Sequence, residues 1–159
     1  MDLNDVLRRA ELDALYADYA HCLDNDELEA WPEFFTDDCC YRITSAENFE
    51  AGLPIGIVYA TSKAMLVDRV MALRKANIYE PQRYRHIIGA IKIGAEEPGG
   101  LAVVANFIVV RIMQDGAMSV FAAGRYIDRI VRQGDAGKFA RKDVVLDSRQ
   151  IDTLLAIPL

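Results

Sequence analysis

Six side chains in this sequence, Asp13, Tyr16, Asp38, Tyr41, His86 and Asp128, are of the types that can place a base beside a hydrogen-bond donor. The chemistry open to such a set is general acid–base catalysis on a small molecule held in an enclosed pocket. Their spacing singles out no pair. Three of them also have a structural reading: His86 as a partly buried histidine hydrogen-bonded to a carboxylate or carbonyl, and Tyr16 and Tyr41 as core aromatics with satisfied hydroxyls. Arg83 and Arg85, two apart, share one face of a strand and are placed to meet an anion or a partner's carboxylates, although a solvated edge serves them equally well.

Metal and nucleotide chemistry have less to work with. The sequence holds 2 histidines, His21 and His86, and 3 cysteines, Cys22, Cys39 and Cys40. A Rieske cluster, which takes its ligands from Cys-x-His and Cys-x-x-His pairs, cannot be assembled from them. A triad of two histidines and a carboxylate has no supporting spacing. Gly94 to Gly100 lacks the strand, glycine spacing and helix that cradle phosphates. The cysteines read as free, mostly buried thiols, with adjacent Cys39 and Cys40 on opposite faces of a strand.

At 159 residues the chain fits one domain, 1–159, with a core large enough to need no disulfide or structural metal. A net charge of −6 disfavours nucleic acid, whose phosphates call for clustered Lys and Arg. Hydrophobic residues make up 52%, yet no apolar run approaches the ~20 residues that cross a bilayer, so the excess must be buried by folding or by a partner subunit. The opening Met1-Asp2-Leu3-Asn4-Asp5 lacks the basic and apolar regions of a secretory signal, which gives cytoplasmic residence as the expectation.

Hydrophobic periodicity orders the elements helices first, strands second. Leu12, Leu15, Tyr16, Tyr19, Cys22 and Leu23 recur at steps of three and four and predict a helix from about Asp5 to His21, capped near Asp2 or Asp5 and ended by Asp24-Asn25-Asp26. Glu27 to Phe35 reads as short helical turns interrupted at Trp31-Pro32. Cys40 to Thr44 reads as a strand, and Ala46 to Ala60 as loop with a short extended segment. Ser62 caps a helix through about Ala76, with Met65, Leu66, Val70 and Leu73 on one side and Asn77 and Pro81 as its stop. Strands follow at about Tyr84–Ile93, Leu101–Met113, Met118–Arg132 and Phe139–Arg149, a bent antiparallel meander with turns at Pro98-Gly99-Gly100, Asp115-Gly116 and Gly134 to Gly137. The fold class is α+β, with helices gathered on one side of an antiparallel sheet. Within the third of these strands, Ala122-Ala123-Gly124 predicts a bend or a close backbone approach.

One strand carries the argument for self-association. Leu101, Val103, Ala105, Phe107 and Val109 make one face apolar, and Ala102, Val104, Ile108, Val110 and Ile112 make the other apolar too, whereas an antiparallel sheet ordinarily leaves one face wet. Helices cover the concave side, which leaves a second subunit as the cover for the convex side. Cyclic closure into a trimer is the expected form, since a three-fold ring buries a heterologous patch on every subunit. Arg83, Arg85, Arg125 and Asp128 are the candidates for polar contacts at the edge of that interface.

Several stretches resemble the small (beta) subunit of aromatic-ring-hydroxylating dioxygenases: Trp31-Pro32-Glu33-Phe34-Phe35-Thr36-Asp37-Asp38 with Tyr41 after it, Asp68-Arg69-Val70, Arg83-Tyr84-Arg85-His86-Ile87-Ile88-Gly89, and Phe121 to Asp128. Asp147-Ser148 and Asp152 to Leu159 look closest to small subunits acting on aromatic acids such as terephthalate, while Glu47 to Pro54 and Ser62 to Met65 are similar to those of salicylate hydroxylases. The resemblance implies a cone-shaped fold of the nuclear-transport-factor-2 or scytalone-dehydratase type and a non-catalytic, structural role. It implies three such subunits beneath three catalytic alpha subunits that carry the Rieske 2Fe-2S cluster and the mononuclear iron, with none of these cofactors on this chain. A stand-alone isomerase or dehydratase of the same cone fold, with His86 or Asp38 as general base, is the alternative.

Overall fold

The computed structural model describes residues 2–76, 81–148 and 157–159. Helix α1 (Leu3–Asp24) runs beyond the predicted Asp5–His21 up to caps at Asp2 and Asn25, both within the predicted capping and stop residues. The Asp2 carboxylate accepts from the Asp5 amide at 2.8 Å and the Asp5 carboxylate from the Asp2 amide at 3.1 Å, a reciprocal box that satisfies orphan donors of the first turn. Trp31–Phe34 form a single 3-10 turn. Pro32 stands at its start instead of interrupting it, since the first turn of a helix has amides that need no intrahelical partner.

Strand β1 (Phe35–Ser45) runs well past the predicted segment. Where a loop was expected, Ser45 accepts from the Asn48 amide at 3.1 Å and starts the short helix α2 (Ala46–Glu50), and β2 (Val58–Ala60) is the extended piece. Ser62 accepts from the Met65 amide at 3.2 Å ahead of α3 (Lys63–Ala76), which buries Leu66 and Val70 but turns Met65 to solvent. The Asn77 stop lies outside the described residues.

Four long strands complete the sheet: β3 (Gln82–Glu97), β4 (Gly100–Met113), β5 (Met118–Gln133) and β6 (Ala136–Leu146), paired antiparallel in chain order. The predicted meander ends there. β1 pairs with β6 in parallel, Ile43 opposite Val144, and β2 joins β1 antiparallel, so the order is β2-β1-β6-β5-β4-β3. The predicted strand end at Arg149 lies outside the described residues. Register shifts in the β3–β4 pair between Gly89 and Lys92, and in the β4–β5 pair between Val109 and Val110, bend the ribbon. The small residues of β5 meet the predicted close approach: a Cβ on Gly124 would stand 2.0 Å from the Val145 carbonyl oxygen.

Inside the curve lie Tyr16, Tyr19, Trp31, Phe35, Tyr41, Phe107, Tyr126 and Phe139, all buried, with edge-to-face contacts such as Trp31–Tyr41 at 5.2 Å between centroids. The outer face is treated in two ways. Over β1 and β6 the chain covers itself: Arg42 lies over the Phe49 ring and donates to the Leu53 carbonyl at 3.1 Å, and Thr44 donates to the Ile55 carbonyl at 2.9 Å. Over β3 to β5 none of the described residues does so. Ile87, Ile108 and Val120 are exposed by 60%, 43% and 66%, beside the half-buried Val104, Val110 and Ile112.

Candidate functional site

The deepest polar group in the cone is a pair that sequence reasoning half missed. Asp128, expected at an interface edge, is fully buried. On a strand alternate residues share a face, so Arg125 and Asp128, three apart, point to opposite sides, and it is Asp128 that goes inward with Tyr126. There its carboxylate accepts from the Tyr16 hydroxyl at 2.5 Å and from the Lys142 ammonium at 3.0 Å. Lys142 carries no local signal of this role, because Arg141-Lys142-Asp143 in a strand has the pattern of solvated charge. It is held 3.7 Å from the Tyr126 ring centroid and 4.1 Å from that of Phe139, a desolvated cation against aromatic faces. Burial pushes the Lys142 ammonium down to about 8, and Asp128 opposes that shift; burial also raises the Asp128 carboxyl, opposed by Lys142 and Tyr16.

A second interior group forms around Leu159. The hydroxyls of Tyr19 and Tyr41 both donate to its main-chain oxygen, at 2.8 Å and 2.9 Å, while its amide donates to the Tyr41 hydroxyl at 3.2 Å. Trp31 Nε1 donates to the Tyr19 hydroxyl at 3.2 Å and fixes its orientation. Desolvation raises both tyrosines well above the ordinary phenol value, so they act as neutral donors. Tyr16 and Tyr41 are therefore core aromatics with satisfied hydroxyls, as one of the two readings had it.

His86 faces inward from β3 and is buried. Its Nδ1 lies 2.6 Å from Asp24 Oδ1, and its backbone amide donates to the same carboxylate at 2.9 Å. Asp24 ends α1, so this contact ties the helix to the edge strand and sets a partner beside an anion at the unfavourable end of the helix dipole. Asp13 lines the cleft between α1 and β3 that runs past His86, whereas Asp38 is exposed on β1 and is not brought to this set. The structure thus divides the six acid–base candidates into a Tyr16–Asp128 contact, a His86–Asp24 contact and unconnected remainders.

The basic candidates fall on the outside. Arg83 and Arg85 are exposed on the outer face of β3, and half-buried Arg125 is on the outer face of β5 opposite Asn106 of β4. They border the uncovered Ile87, Ile108 and Val120. Among the described residues no group of three or more His, Cys, Asp or Glu side chains is placed to hold a metal ion. His86 is already engaged with Asp24, and Cys22 and Cys39 are buried thiols pushed up to about 11 by desolvation, a poor state for a thiolate ligand. These residues do not fit a Rieske cluster or a mononuclear iron.

The model of the ring hydroxylating beta subunit family matches residues 19–153. The chain belongs to this family. The small subunit of anthranilate 1,2-dioxygenase from Burkholderia cepacia is 45% identical to this beta subunit over 141 residues, 89% of this chain and 88% of that one. Subunit beta 1 of the terminal oxygenase component of terephthalate 1,2-dioxygenase from a Comamonas species is 42% identical over 154 residues, 97% of this chain and 100% of that one. A crystal structure from Novosphingobium aromaticivorans, described as the beta subunit of an aromatic-ring-hydroxylating dioxygenase, superposes with a TM-score of 0.88 at 37% identity, covering 98% of this chain and 99% of that one. A protein of the same organism described as a scytalone dehydratase shares the cone with a TM-score of 0.70 at 15% identity, covering 96% and 93%, a likeness of fold alone. As the small subunit of a multicomponent dioxygenase, this beta subunit has a catalytic large subunit as its partner.

Proposed function

We propose that this beta subunit is the non-catalytic, structural part of a cytoplasmic oxygenase acting on an aromatic carboxylic acid, with the Rieske cluster and the mononuclear iron on the alpha subunit and three copies of each subunit in the assembly. The observation that carries the structural role is the divided outer face: residues 46–57 cover the sheet over β1 and β6, whereas among the described residues none covers the apolar strip over β3 to β5, which suits contact with another chain. An uncovered strip of Ile, Val and Met flanked by arginines has the make-up of a subunit interface, with an apolar centre and a polar rim. The substrate class rests on the relatives, since anthranilate and terephthalate both carry a ring carboxylate. The single-domain reading of 1–159 is part of the same proposal and rests on the one continuous sheet.

Co-expression with the neighbouring large subunit, followed by oxygen uptake with a panel of benzoates and unsubstituted arenes, tests the reading. Uptake with ring carboxylates only when both chains are present is the expected result. Turnover of an aromatic acid by this chain alone would sink it.

The second reading, a stand-alone isomerase or dehydratase, keeps one specific observation: His86 Nε2 is buried with no hydrogen-bond partner among the described residues while Nδ1 is oriented by Asp24, the arrangement of a general base. Asp38, exposed on β1, no longer supports it. His86→Gln separates the two readings. Loss of thermal stability or assembly with turnover per alpha subunit unchanged supports the structural role, and intact assembly with turnover lost by orders of magnitude supports the enzyme.

A further inference from the structure

A second concave surface lies away from the polar contacts described above. Between the first half of α1, the 3-10 turn and the β5–β6 hairpin is a cleft of about 820 Å³, floored by Leu12, Leu15, Phe34, Leu101 and Ile130. Its charged rim is unbalanced. Arg132 pairs with Glu11 at 2.8 Å, Arg8 with Glu96 at 3.5 Å, and Lys138 donates to the Glu33 main-chain oxygen, so each cation of the rim is taken. Asp18 and Asp135, on the same rim, have no ion-pair partner among the described residues. Free carboxylates around an apolar floor fit a surface of the opposite make-up, apolar at its centre and cationic at its edge.

The chain itself carries such a surface. The strip of Ile87, Ile108 and Val120 is edged by Arg83 and Arg125, neither of which has an ion-pair partner among the described residues, and by Arg85, 3.8 Å from Asp24. Strip and cleft lie apart on the molecule. Leu101 and Ile108 are separated by about 23 Å of extended strand along β4, with Leu101 turned inward and Ile108 on the outer face. A copy therefore cannot seat its own strip, and its cleft is open to the strip of another. We propose that the strip over β3 to β5 of one copy docks in the cleft between α1 and the β5–β6 hairpin of the next, with Arg83 and Arg125 meeting Asp18 and Asp135. Ile87, Ile108 and Val120 then pack on the half-buried Leu15 and Phe34, and the charge pairs at the edge fix the register. Such a contact is head to tail, and three copies close it into a ring. The inference rests on the three-copy assembly proposed above and names the two surfaces that meet in it.

Charge reversal on the full chain, read by sedimentation equilibrium, is the test. Asp18→Arg with Asp135→Arg, and separately Arg83→Glu with Arg125→Glu, should each weaken trimer formation by about tenfold or more, since like charges then face each other. All four substitutions together should restore the trimer. Thermal unfolding checks that each variant is folded; if Arg125→Glu, at a half-buried position, lowers the Tm, Arg83→Glu against Asp18→Arg and Asp135→Arg takes its place. A mixture separates head-to-tail contact from strip against strip. Ile108→Asp keeps its cleft and the Asp18→Arg, Asp135→Arg chain keeps its strip, so together they retain one sound contact and should form a dimer of the two chains without a trimer. Two strips face to face would give no dimer in that mixture. An unmodified chain that is monomeric removes the three-copy reading and this inference with it. A trimer of unmodified chains overturns the docking alone if reversal at Asp18 and Asp135 leaves it intact, even where the same reversal releases the large subunit, if the fourfold variant fails to recover, or if the mixture yields no dimer.

Discussion

A single buried ion pair sets the most specific expectations at the scale of the residue. Asp128 and Lys142 are both without solvent exposure, so removing one partner strands the other charge in the aromatic core. Lys142→Met should cost about 3–5 kcal/mol of stability in urea unfolding, whereas the double change Asp128→Leu with Lys142→Met should recover most of that loss. The pH dependence has a definite sign. With the folded Lys142 at about 8 and its unfolded value near 10.5, both states hold the proton below pH 8 and the burial penalty is fully present there. Between 8 and 10.5 the unfolded state binds more protons than the folded one, so this group's contribution rises with pH. Buried Cys22 and Cys39, raised to about 11 from 9.0, oppose it above pH 9, and both are common to wild type and variant. The stability of wild type relative to Lys142→Met should therefore grow between pH 7.5 and 9.5. No growth would show that Lys142 keeps an ordinary proton affinity. Little of this was readable from sequence: a lysine flanked by Arg141 and Asp143 has the pattern of a wet strand, and only the return of β6 to the middle of the sheet, with β5 at its side, puts it inside. Asp128 was misplaced for a simpler reason, since strand parity alone separates it from Arg125.

Elements were more legible than their neighbours in space. The 3.6-residue rhythm of Leu12, Tyr16, Tyr19 and Leu23 gave α1, and the glycine turns gave the breaks between β3 and β6, because both signals are local. What was missed is what non-local pairing decides: the length of β1, its parallel match to β6, and α2 folding back over Arg42. Gly124 is where a local signal and a tertiary one coincide. Gly124→Ala would set a methyl 2.0 Å from the Val145 carbonyl oxygen, so β5 and β6 must part, at a cost of about 3 kcal/mol. A chemical-denaturation midpoint equal to wild type would contradict the close approach. At the other end of the chain, Asp2→Ala removes one arm of the capping box on an exposed turn and should cost about 1 kcal/mol in the same assay.

At the scale of the molecule, the described residues fill the inside of the cone and leave the apolar strip over β3 to β5 exposed. Ile108→Asp or Val120→Asp, on the exposed strip of β4 and β5, should leave the thermal stability of the isolated chain nearly unchanged and lower its self-association by sedimentation equilibrium. Three times the 17.8 kDa chain mass is expected for the unmodified protein and a monomer for the charged variants. An unmodified chain that sediments as a monomer at micromolar concentration would remove the trimer. The β1–β6 pairing has a consequence of another kind, in time. Its partners, such as Arg42 and Asp143, are separated by 101 residues, so a ribosome making roughly 5–20 residues per second needs on the order of ten seconds between emitting one and the other. Throughout that interval Tyr41 and Ile43 have only the three-residue β2 to pair with, and the long loop must close before the pairing with β6 is rewarded. The nascent amino-terminal third is thus the part of this protein with the greatest need of a chaperone, and slowing translation after β1 should raise aggregation more than slowing it after β6.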